Sequence, residues 1–113
     1  MAANNYAASL IYLKRSEEAR PLLRRTIPVA RRVLGADSHI TLRMKKMYAR
    51  TIYENKGATL DDVREAVATL EDTERIARRV LGGAHPLTSA IEGDLRTSRA
   101  VLRYCETQSS VRK

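Results

Sequence analysis

The chain of 113 residues has no Trp, no Phe and a single cysteine, Cys105. A lone cysteine closes no internal disulfide, so nothing points to an oxidising compartment. Without Phe and Trp, the aromatics are five Tyr, and the apolar 43% is chiefly Ala, Leu, Val and Ile. A core so poor in rings suits close helix–helix packing better than facing sheets. Long hydrophobic runs are missing as well. The longest, YAASLIYL at 6–13, falls far short of the ~18 residues of a membrane span. No basic stretch precedes it and Lys14 and Arg15 follow at once, which argues against a secretory signal. With no address in the sequence, the expected location is the cytoplasm. No segment alternates at period two, so strands are not expected.

Acidic residues are in deficit, 13 against 21 Lys and Arg, for a net charge of +8. Such a surplus favours anionic partners or serves as a plain solvated coat. Residues that carry chemistry are scarce. His39, His85 and a distant Cys105 are too few for a metal site. Gly82–Gly83 opens a helix but lacks the Lys and further glycines of a phosphate loop. Asp61 and Asp62 fit the first turn of a helix. No enzyme and no cofactor is expected.

What the sequence does have is a repeat. ARRVLG stands at Ala30–Gly35 and again at Ala77–Gly82, an offset of 47 residues. Extended backwards, Glu18, Ala19 and Leu23 fall on Glu65, Ala66 and Leu70; extended forwards, Thr41 falls on Thr88. Upstream, NNYAASLIY resembles KMYARTIY, with Tyr6 and Ala7 over Tyr48 and Ala49 at an offset of 42. The difference of five places an insertion in the loop around Gly57. Self-similarity at this period indicates stacked repeats.

Each unit reads as two helices. Ser16 caps a helix from about Glu17 to Leu34, stopped by Gly35, with Ala19, Leu23, Ile27 and Ala30 on its apolar stripe. Its equivalent runs from Leu60 to Leu81 and stops at Gly82. Partner helices cover about Ser38–Asn55 and Pro86–Cys105, and a fifth, Asn4–Lys14, opens the chain. Pro28 should bend the first long helix, and Gly93 reads as a packing accommodation in the last. The expected fold is all-α, a solenoid of antiparallel helix pairs with about five helices. The array spans 1–105: a first unit at about 4–35, a second at 38–82 with its loop insertion near 54–60, and a capping helix at 85–105. Residues 106–113 are expected to form a flexible basic tail.

The strings VLGADSHIT and VLGGAHPLT, with Tyr53, Gly57, Glu65 and Ala66 at the preceding turn, resemble the tetratricopeptide repeat of the kinesin-light-chain type. The first unit carries LKRSEEA at the turn position, without the glycine. Ser38-His39 replaces the usual His-Pro. The resemblance implies helix pairs in a curved solenoid, the first helix of each pair lining a concave face that binds peptide segments of other proteins.

Helical spacing puts Arg43, Lys46 and Arg50 on one face of the second helix pair's first member. Arg96, Arg99 and Arg103 repeat that spacing in the last helix. Side by side, two such ridges would suit an acidic peptide. The expected function is therefore a non-catalytic protein-interaction module or scaffold. The alternative is a basic helical nucleic-acid-binding protein, against which stand the interleaved acids and the lack of a stacking platform. The opening helix has no preceding partner, which suggests self-association or docking on further repeats; no membrane contact is expected.

Overall fold

The computed structural model describes residues 2–111, with side chains described for Arg15 and residues 17–109. The described residues form four helices: α1 (Ala2–Leu34), α2 (His39–Tyr53), α3 (Leu60–Leu81) and α4 (Pro86–Val111). Their ends follow local chemistry. Gly35 and Gly82 hold φ of 96° and 90° after the two VLG strings, a conformation in which a side chain is strained. Ser38 caps α2 by accepting from Ile40 N–H. Thr59 and Asp62 close a reciprocal capping box at the start of α3. His85 Nδ1 accepts from Leu87 N–H at 3.0 Å ahead of α4.

The order of cross-helix pairs fixes the directions. Lys45 meets Asp72 and Tyr48 meets Glu65, so α2 and α3 are antiparallel. Arg99 meets Glu71 and Arg78 meets Glu92, so α3 and α4 are antiparallel as well. Arg20 with Asp62 and Arg24 with Glu65 set α1 parallel to α3. Each helix packs on its successor, and α2 also touches α4.

Two expectations are corrected. Among the described residues there are four helices, not five, because α1 continues through Ser16 without a break. LKRSEEA contains neither Gly nor Pro, so the first unit has no residue that would stop a helix where the second unit has Gly57. Pro21 and Pro28 lie inside α1 and both are exposed, so the carbonyls they leave unbonded lie towards solvent. At the other end α4 passes Cys105 and reaches Val111, so 106–111 are helical rather than a tail. ETQSSV offers no stop signal, and Thr107 Oγ1 donates back to Arg103 O. Arg112 and Lys113 lie outside the described residues, as do the side chains of the opening stretch on which the self-association expectation rests.

The core is a continuous aliphatic seam. Leu42, Ile52, Val63, Leu70 and Ile91 are fully buried, and Leu23 brings α1 into the same cluster. Thr41 and Thr88, equivalent at the 47-residue offset, are also fully buried, and neither hydroxyl has a hydrogen-bond partner. Among the described residues no helix is long and apolar enough to cross a membrane.

Leu70→Ala should cost about 2–5 kcal/mol, since it leaves a cavity where three helices meet. Thr88→Val should be neutral or stabilising, because it removes an unpaired buried hydroxyl at constant shape. Urea denaturation of both variants beside wild type measures the two effects.

Candidate peptide-binding face

Each of the six basic residues singled out by spacing sits on a described helix. Arg43 is exposed on α2. Lys46 is largely buried and pairs with Asp94 of α4 at 3.2 Å, their side chains 16% and 15% exposed. Arg50 Nε donates to Glu54 at 2.7 Å. Arg96 and Arg103 are exposed on α4, and Arg99 reaches back to Glu71 of α3 at 3.2 Å.

The structure brings the α2 residues together on one face but does not join them to the α4 arginines. Asp94 marks the side of α4 that meets α2, and Arg99 the side that meets α3. Five residues apart on a helix, they diverge by about 140°. The α4 residues in the register of Arg43, Lys46 and Arg50 are Ala90, Gly93 and Thr97, at the 47-residue offset. Beside the basic ridge of α2, then, α4 presents small residues. A Cβ on Gly93 would meet nothing within 4 Å, so the glycine is not a packing accommodation.

Burial shapes the ionisable groups nearby. Asp94 Oδ2 is fully buried and faces Lys46 as an ion pair without hydrogen-bond alignment. Tyr53, buried beside this carboxylate, has its hydroxyl pushed well above the usual tyrosine range, first by desolvation and then by Asp94. A second junction ties three helices. Arg24 donates to Tyr48 Oη at 3.1 and 2.8 Å, and Tyr48 donates to Glu65 at 2.5 Å. Burial is the main cause that raises the Tyr48 hydroxyl. On the side of α3 that meets α4, Arg78 bonds Glu74 and Glu92, while Arg79, in line with Glu65 and Asp72, reaches Asp37 in the turn before α2.

These acids are what the spacing argument missed. A helical wheel places Arg43, Lys46 and Arg50 on one face, but it does not say which neighbouring helix supplies Asp94. The repeat offset held the missing signal, since it aligns the α2 ridge with Ala90, Gly93 and Thr97 rather than with the α4 arginines. His39 and His85 meet edge to face, ring centroids 5.8 Å apart. Among the described residues no group of three or more His, Cys, Asp or Glu side chains is placed to hold a metal ion.

The tetratricopeptide-repeat family profile matches residues 1–40, which are α1 and the turn into α2. No curated protein and no solved structure matches the chain.

The Asp72 carboxyl, taking a 2.7 Å hydrogen bond from Lys45, is held below the usual carboxylate range. A depressed folded value contributes stability in full above the unfolded value of about 3.9 and loses it as pH falls through the folded one. Asp72→Asn should therefore flatten the decline in stability below about pH 4. Urea midpoints at neutral and acid pH test this; equal acid slopes in wild type and variant would refute it. Gly93→Ala should gain about 0.5–1 kcal/mol, as it removes a mid-helix glycine beside open space.

Proposed function

We propose that the chain is a non-catalytic protein-interaction module of the tetratricopeptide type, taking an acidic peptide segment along the Arg43–Lys46–Arg50 face of α2. The observation that carries this reading is the family match over residues 1–40, on a chain whose described helices stack antiparallel in sequence order. Repeats of that family generally mediate protein–protein contact. The two VLG strings favour the kinesin-light-chain variety and a curved solenoid.

Chemistry supports the α2 face in particular. Arg43 is exposed, Lys46 is held by Asp94, and the small residues Ala90 and Gly93 leave room for a main chain beside them. Arg96, Arg99 and Arg103 belong to another side of α4 and enter the proposal only as a separate basic surface. Nucleic acid is the weaker reading, because many of the arginines already bind carboxylates.

The test must spare Lys46, since Lys46→Glu would set a like charge against the buried Asp94. The double variant Arg43→Glu, Arg50→Glu should bind a fluorescein-labelled 12-residue Asp/Glu-rich peptide at least tenfold more weakly, with its far-UV circular dichroism unchanged. Fluorescence anisotropy provides the measurement. Unchanged affinity would reduce the ridge to a solvated coat. Tighter binding of a generic oligonucleotide than of the peptide at physiological salt would favour the nucleic-acid reading.

A further inference from the structure

The two units differ in what covers their long helices. On α3, the strip Glu65, Thr69, Asp72 and Ile76 faces α2, through Tyr48–Glu65 and Lys45–Asp72. At the 47-residue offset the same strip of α1 is Glu18, Leu22, Arg25 and Val29, continued by Val33. Here Leu22, Val29 and Val33 are 56%, 46% and 70% exposed, while Ile76 is packed against the core.

The same comparison holds for the next helices. Leu87, Ile91 and Ser98 of α4 are buried on the side where Asp94 meets Lys46 of α2. Their equivalents on α2 are Ile40, Met44 and Thr51, with Met47 in place of Asp94. Ile40 is 52% exposed against 8% for Leu87, and Met47 is 48% exposed. In the second unit one helix, α2, covers both strips. In the first unit the two strips therefore converge on a single helix-sized trough lined by exposed apolar side chains, the kind of patch that marks an interaction site.

The charge at the trough says what fits. Where α3 offers Asp72 to a lysine, α1 offers Arg25, and Arg32 follows it one heptad on. Both are exposed, and among the described residues neither has an ion-pair partner. An occupant lying as α2 lies on α3 must then bring a carboxylate where α2 brings Lys45. The opening stretch of this chain, residues 1–15, contains no Asp or Glu and does not meet that need. We propose that the trough between α1 and α2 docks an amphipathic helix of a partner protein, aliphatic on one stripe and flanked by carboxylates that meet Arg25 and Arg32. This rests on the interaction-module reading; the trough borders the α2 ridge, since Ile40, Arg43, Met47 and Arg50 keep the spacing of one helix face, and its aliphatic walls on Val29 and Met47 are what tell the two apart.

The probe is an 18-residue labelled helix with a Leu/Ile stripe and Glu flanks, compared with the same stripe carrying Lys flanks. By anisotropy, wild type should prefer the Glu-flanked helix at least tenfold, and Val29→Gln with Met47→Gln should lose at least tenfold of that affinity. Arg25→Glu with Arg32→Glu should reverse the preference towards the Lys-flanked helix, an outcome that a misfolded variant cannot give. The same Val29→Gln, Met47→Gln variant should bind the 12-residue Asp/Glu-rich peptide within twofold of wild type, which separates this trough from the α2 ridge. Equal binding of the two helices, or indifference to Val29 and Met47, overturns the proposal. So does light scattering that finds a wild-type dimer made monomeric by Met47→Gln, since a second copy would then fill the trough.

Discussion

Leu23, Leu42, Leu70 and Ile91, one from each described helix, are buried, yet none could be covered by its own helix alone. A single helix shields only one stripe, and it does so by lying against another. Everything else in the fold follows from satisfying that seam. It sets α2 between α1 and α3, brings α4 back across both α3 and α2, and places Thr41 and Thr88 in equivalent buried positions. That two hydroxyls are tolerated there without partners shows how far shape outweighs polarity along the seam, at a cost of the order of 1 kcal/mol or more for each.

Charge is arranged around the seam rather than through it. Lys45, Lys46, Arg78 and Arg99 each bridge two helices by way of a carboxylate, and Arg79 reaches Asp37 in the turn before α2. Pairs of this kind, mostly half exposed, add little stability individually, but they fix which helix face meets which. The positive surplus is left elsewhere. Among the described residues Arg25, Arg31, Arg32, Arg43, Arg96 and Arg103 have no ion-pair partner, and they lie along α1, at the solvent face of α2 and on α4. Surfaces with unspent cationic side chains are where an anionic partner gains most, since no internal pair must be broken first.

Much of the fold was legible in the sequence. The two VLG strings announce helix ends, and the glycine that closes each, Gly35 and Gly82, holds positive φ. The stripe of Ala66, Leu70 and Ala77 reads directly as a buried face. The first turn was not legible, because a cap such as Ser16 is a preference and not a stop. With no glycine or proline between Leu13 and Ala19, helix propagation adds one hydrogen bond per residue and nothing opposes it. The site was legible only in part. Periodicity tells which residues share a face of their own helix, but the direction of that face depends on packing with segments far away in sequence. Arg99 illustrates this: it holds the place in its triplet that Lys46 holds in the other, yet it turns to Glu71 of α3 while Lys46 turns to Asp94 of α4.

The unbroken α1 and the bare trough have one cause. In the second unit the loop at 54–59 turns the chain back, so that α2 lies alongside α3 and covers its flank. In the first unit the helix runs straight on, and residues held end to end with Leu22 and Val29 cannot also lie beside them. The seam residues match between the two units, Leu23 with Leu70 and Ala30 with Ala77, because each unit needs them to pack on the next. The flanks differ, with Leu22 where the second unit has Thr69 and Arg25 where it has Asp72. A flank released from internal packing would be expected to drift towards polar residues if water were its only neighbour. Leu22, Val29 and Val33 are aliphatic instead, with arginine at the intervening charged positions, and that combination is the pattern of a surface that meets another helix.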